Sequence, residues 1–97
     1  MATKLNATIE AADTFSDAVQ LLGNFNLSVS GTFSGTLTVQ RSRDRSTWHD
    51  VDTFTSPTEE FGFDPEQNWY RVGCKAGELA SGSVMVRIGA SDIPTNF

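Results

Sequence analysis

The sequence is poor in the residues that most often carry chemistry. It holds one histidine, His49, and one cysteine, Cys74, in 97 residues. A hydrolytic triad needs a nucleophile within hydrogen-bond reach of a histidine, and no glycine-flanked serine elbow of the G-x-S-x-G kind accompanies His49. A structural zinc site draws its ligands mostly from His and Cys, so one of each is too few. Calcium needs several oxygens converging from a tight loop. Asp50-Val51-Asp52 and Glu59-Glu60, with Asp64 and Glu66, supply carboxylates without that spacing, and read as acidic strand edges that discourage aggregation. No catalytic, cofactor-binding or metal residue is expected, and no enzyme. The lone Cys74 cannot staple the fold, which suits a reducing cytoplasm.

Positive charge and long apolar runs are also scarce. Seven Lys and Arg against twelve Asp and Glu give a net charge of -5, which argues against a grip on phosphate backbones and so against nucleic acid as a partner. The one basic cluster, Arg41-Ser42-Arg43-Asp44-Arg45, has an acid in its middle. The longest apolar run is Val84-Met85-Val86, far short of the ~20 residues that span a bilayer. The start Met1-Ala2-Thr3-Lys4-Leu5-Asn6 has no apolar core of a secretory signal. No membrane association is expected.

What is present is alternation. Phe25, Leu27 and Val29 recur at every second position, then Leu37 and Val39, then Tyr70, Val72 and Cys74, then Val84, Val86 and Ile88. Period two over such short segments, with turn residues between them, predicts half-buried strands. The expectation is an all-β fold: a single antiparallel β-sandwich, Ig- or jelly-roll-like, of about seven to eight strands with irregular terminal arms. Ninety-seven residues make one domain with a small core, divided as an N-terminal arm and first strand or strands (1–23), a core sandwich (24–89) and a tail (90–97). In residues 1–23, Leu5, Ala7 and Ile9 alternate as a strand does, and Ala18 to Leu22 fits either period. Cys74 shares a face with Tyr70 and Val72, which places it in the core as an unreactive small hydrophobe.

Ser42-Arg43-Asp44-Arg45-Ser46-Thr47-Trp48 resembles the Asp-box hairpin Ser-x-Asp-x-Gly-x-Thr-Trp, one residue shorter and without the glycine. In that turn the aspartate accepts backbone N–H bonds inside the loop and the tryptophan packs beneath it. Ser42, Asp44 and Trp48 are therefore expected to be structural. Glycosidases that carry this box have several copies on a propeller, and one altered copy does not make one.

Residues 31–42 (Gly-Thr-Phe-Ser-Gly-Thr-Leu-Thr-Val-Gln-Arg-Ser), 47–51 (Thr-Trp-His-Asp-Val), 69–74 (Trp-Tyr-Arg-Val-Gly-Cys) and 81–89 (Ser-Gly-Ser-Val-Met-Val-Arg-Ile-Gly) together resemble small virion proteins of tailed bacteriophages. Those commonly read Gly-Thr-x-Ser-Gly-Thr-Val-Thr-Leu-Gln-Arg-Ser, an Asp-Gly-Gly-Thr-Thr-Trp turn, a Tyr-Arg-x-Gly strand and a Ser-Gly-Thr-Val-x-Val-Arg strand. The Tyr-Arg-Val stretch also resembles a strand of fibronectin-type sandwiches. The chain departs from the phage pattern at Arg45-Ser46, where the glycines are lost. The resemblance implies a structural virion protein, a capsid decoration (cement) protein that bridges major capsid protein subunits on the head exterior, assembles as a homotrimer and is made in the host bacterial cytoplasm. The alternative is a tail or fibre module that binds carbohydrate or a host surface. Met1, Thr3, Lys4, Leu5, Phe33, Trp69, Met85 and Phe97 are the interface candidates: they lie in the terminal segments, in a Gly-bracketed turn, or on the side of a strand opposite its apolar neighbours.

Overall fold

A computed structural model describes residues 3–90, and nine strands fill that span: β1 (Thr3–Ile9), β2 (Thr14–Phe15), β3 (Val19–Ser30), β4 (Phe33–Gly35), β5 (Leu37–Ser42), β6 (His49–Phe54), β7 (Thr58–Cys74), β8 (Leu79–Gly82) and β9 (Val84–Ala90). The fold is all-β and every pairing is antiparallel. One sheet runs β1-β9-β3-β7-β5-β6, with the short β2 also on β7, and β4 and β8 form a separate two-stranded sheet. The alternating segments all become strands, and the ambiguous stretch around Leu21 opens β3. From Thr3 onward the N-terminal segment is an edge strand, paired with β9 over its whole length.

Two strands are much longer than the sequence suggests. Glu60–Phe63 reads as a short strand ended by Pro65, yet β7 continues through that proline for 17 residues, and β3 has 12. Their shared ladder is interrupted once. Residues 24–29 of β3 pair with 58–63 of β7, and residues 19–21 pair with 68–70, with a register shift between Leu21 and Gly23. The backbone of Gly23 has φ 79, a left-handed conformation that glycine adopts without steric cost. An irregularity of this kind bends a strand and lets it pass from one layer to another.

Along β3, only the later part pairs with β9, and along β7, only the later part pairs with β5. The sheet thus comprises a first layer, β1-β9-β3-β7 around residues 24–30 and 58–63, and a second layer, β7-β5-β6 with β2 and the start of β3. The two inner faces meet. Leu27, Val29, Val84, Val86 and Ile88 from the first layer and Leu21, Leu37, Val39, Tyr70, Val72 and Cys74 from the second join one buried cluster. The Phe25 and Tyr70 rings bridge the layers at 5.1 Å between centroids. Cys74 is fully buried, as its alternation predicts, and burial pushes its thiol up, with the Glu78 charge adding to the shift.

Candidate interaction surface

The β5–β6 turn carries the Asp-box-like residues. The Ser42 hydroxyl accepts the N–H groups of Asp44 (3.2 Å) and Arg45 (2.8 Å) and donates to Asp44 Oδ1 at 2.9 Å. Asp44 Oδ1 in turn accepts the N–H groups of Ser46 at 2.9 Å and Thr47 at 2.8 Å. These backbone donors, Thr47 first and then Ser46, hold the Asp44 carboxyl down at about 2, with the Ser42 hydroxyl adding to them. The missing glycine is answered by Arg45, which takes φ 67, a conformation that costs a residue with a Cβ about 1–2 kcal/mol. Trp48 departs from expectation. Its ring stacks on Arg71 of β7, 4.4 Å from the guanidinium carbon, so its described ring partner comes from another strand and not from its own turn. The turn leans toward β7, where Arg43 pairs with Glu66 and the Arg45 guanidinium lies 4.7 Å from the Trp69 ring centroid.

Arg71 joins this turn to a larger covering over the second layer's outer face. Its guanidinium also lies 4.6 Å from the Phe15 ring of β2, and its Nε donates to Gln40 Oε1 at 2.8 Å. Gln40 Nε2 donates to Asp50 Oδ1 at 2.8 Å, and Lys75 donates to the other Asp50 oxygen. Lys75 and then Gln40 hold the Asp50 carboxyl below its usual range. Thr38, Gln40 and Ser42, polar residues on what alternation makes the outside of β5, are buried as a result.

At the corner of β7, Asp64 is buried and accepts from Arg41 Nε (2.9 Å) and Nη2 (3.0 Å), Tyr70 Oη (2.7 Å), Asn68 Nδ2 (3.1 and 3.2 Å) and the Glu66 N–H (3.2 Å). The Arg41 guanidinium holds the Asp64 carboxyl below its usual range, while burial and then the bond to Asp64 push the Tyr70 hydroxyl up to about 12. A depression of about 390 Å³ beside this corner is lined by Arg41, Arg43 and His49 among others. Both of its arginines are already paired, with Asp64 and Glu66.

The first layer's outer face is different. Residues directly opposite in an antiparallel ladder share a face, so Lys4, Gly89, Asn26 and Phe61 form one row, Asn6, Arg87, Ser28 and Glu59 the next, and Thr8, Met85 and Ser30 a third, while Phe63 lies opposite Asn24. Among the described residues, no strand covers these rows. Phe61 is 90% exposed, Phe63 65% and Met85 51%. The register imposes this arrangement. Leu27 must face inward, which puts its partner Glu60, exposed at the sheet edge, and Gly62 two residues on, on the same side of β7. Gly62 faces the Phe25 ring, which lies 2.9 Å from where a Cβ would sit. Phe25 thus fills the inner position, and the two phenylalanines of β7 are left outside.

Of the interface candidates, Met85 is exposed on this face, and Lys4 is exposed at its edge on β1. Leu5 and Phe33 are partly buried and pack on the core, and Trp69 is half-buried beneath Arg45. β1 turns Leu5 toward Ile88, and the β4–β8 sheet turns Phe33 toward the core. Met1, Phe97 and the side chain of Thr3 lie outside the described residues. Phe61, Phe63, Val51 and Leu22, all about half exposed or more, were not among the candidates. Phe61 and Phe63 alternate about Gly62, but which side that alternation faces is set by the register with β3.

Among the described residues, no group of three or more His, Cys, Asp or Glu side chains is placed to hold a metal ion, and no helix is long and apolar enough to cross a membrane. Comparison with protein-family models, curated proteins and solved structures gives no match for the chain.

Proposed function

We propose that the chain is a non-catalytic structural protein of a tailed-phage virion, a decoration protein that sits on the head exterior and bridges major capsid protein subunits. The observation that supports an assembly role is the uncovered outer face of the first layer. Phe61 and Phe63, neighbours on one side of β7, are held in solvent there by strand register, and adjacent exposed apolar side chains mark contact surfaces. A small core also gains from assembly, since binding partners stabilise the folded state by mass action. The virion setting and the homotrimer come from the sequence resemblance.

The test is to purify phage particles that contain the chain and reconstruct them by electron cryomicroscopy. Density for the chain at regular lattice positions on the head, in hundreds of copies, is expected. Its confinement to the tail in a few copies would overturn the decoration role. Asn24, Asn26 and Arg87 lie on the same face as the exposed rings. A few polar groups beside aromatic rings suit a small-ligand surface, and this favours, as second reading, a tail or fibre module that binds carbohydrate.

A further inference from the structure

We infer that the free edge of β7 at residues 58–63 takes up an extended, basic segment of the partner protein as an added strand. This deepens the assembly reading, on which it rests, by naming the contact and the chemistry of what it contacts. Residues 58–63 pair with β3 along one edge, and among the described residues no strand pairs with the other. A row of unpaired N–H and C=O groups is a template for a further strand. On one side of this edge stand the exposed Phe61 and Phe63 rings. Beside them a groove of about 220 Å³ opens between β7 and β6, lined by Phe25, Phe54, Tyr70 and Val51 together with Phe61 and Phe63. An added strand places alternate side chains against the rings and in the groove, so both of its faces find apolar contact.

Charge selects the occupant. Glu59, Glu60 and Asp52 surround the edge, and none has a cationic partner among the described residues. A second copy adding here antiparallel would bring its own Glu59 and Glu60 against these, and like charges across a strand pair are unfavourable. The chain's net charge of -5 adds to that repulsion. The segment 91–97, Ser-Asp-Ile-Pro-Thr-Asn-Phe, has an acid and no base. A lysine- or arginine-bearing strand with apolar residues between the charges complements the edge.

The probes are two synthetic eight-residue peptides, one alternating lysine with valine and its glutamate counterpart, titrated into the full ¹⁵N-labelled chain at low salt. The lysine peptide should shift and slow the exchange of backbone amides at 58–63, and should bind at least about tenfold more tightly than the glutamate peptide. The double variant Glu59→Lys/Glu60→Lys should reverse that preference, a swing of about 1.4 kcal/mol for each tenfold. Equal binding of both peptides, or protection confined to β1 or β6, would overturn the inference. So would slow exchange in the free chain of those amides at 58–63 that point away from β3, because the edge would then already be filled by the chain's own tail or a second copy. Head decoration without peptide selectivity removes only this inference. Selective peptide binding by a chain never found on heads removes only the virion role.

Discussion

The outer faces of the two layers are built from the same long strands, yet one is covered and the other is open. Over the second layer, Phe15, Arg71 and Trp48 stack across the sheet and bury Thr38, Gln40 and Ser42 beneath them. Over the first layer, the corresponding rows end in solvent at Phe61, Phe63 and Met85. On the covered side Arg71, Gln40, Asp50 and Lys75 find their partners within the chain, in one line. Among the described residues, nothing covers the Phe61, Phe63 and Met85 side chains of the open side. A chain able to cover one sheet with an arginine between two rings has left the other uncovered where its apolar residues are largest, and that contrast locates the contact surface. Substitutions on the covered side should cost stability, and substitutions on the open side should cost assembly.

The largest expected effect lies at the corner that joins the layers. Asp64→Ala leaves Arg41, Tyr70 and Asn68 without their shared acceptor, and removing one partner of a buried pair costs about 3–5 kcal/mol. The partial exposure of Arg41 puts the expected loss near the lower end, about 3 kcal/mol, measured by urea unfolding. The pH dependence follows the same group. Its carboxyl is held below its unfolded value, so its contribution is complete above about pH 4 and disappears as pH falls through the folded value. Asp44, held at about 2, acts in the same direction over about pH 4 to 2. Asp64→Asn should therefore flatten the acid limb of the stability curve. An unchanged acid limb would place the corner's stability elsewhere.

Arg71 tests the covering itself. Arg71→Ala removes two ring contacts and the bond to Gln40, and about 2 kcal/mol is expected from those together. Arg71→Lys should recover less than half, because an ammonium cannot lie flat between two rings. Full recovery by lysine would mean that charge alone matters there. Arg45→Gly is smaller again. It relieves the left-handed backbone by about 1 kcal/mol and gives up an exposed contact with Trp69 worth about 0.5–1 kcal/mol, so melting should move by no more than a few degrees.

Much of the covered inner architecture was legible in the sequence, because one-sided burial writes itself as alternation. Leu27 and Val29, Val72 and Cys74, Val84 to Ile88 all face where period two puts them. Asp44 was legible as well, because a turn that collects N–H groups on a carboxylate needs an aspartate at that spacing. The covering over β5 was not, because Phe15, Trp48 and Arg71 come from β2, the β5–β6 turn and β7, far apart in the chain, and nothing near Thr38 or Gln40 announces a lid. The open face was hidden for the opposite reason. Phe61 and Phe63 look like inward residues by composition, and only the pairing of Gly62 with Phe25 and of Glu60 with Leu27 turns them out. Register across strands settles that, and register is a tertiary property.

The smallest expected change in stability divides the two faces most sharply. Phe61→Ser with Phe63→Ser removes two of the largest exposed apolar side chains, and on an ordinary covered sheet such truncations would cost about 3–5 kcal/mol each. Here each ring is already in water in the free chain, so little transfer free energy remains to be lost, and surface substitutions usually stay within about 0.5 kcal/mol. The urea midpoint should therefore stay put, and monomer solubility should rise as exposed apolar area falls. Attachment to heads should fall at least about tenfold in a sedimentation assay, because only the bound state buries the rings, at roughly 25 cal/mol per Å². A large loss of stability would show that the phenylalanines pack within the chain after all. Unchanged stability with unchanged attachment would leave the open face without a partner and move the contact to Met85 and the β1 edge.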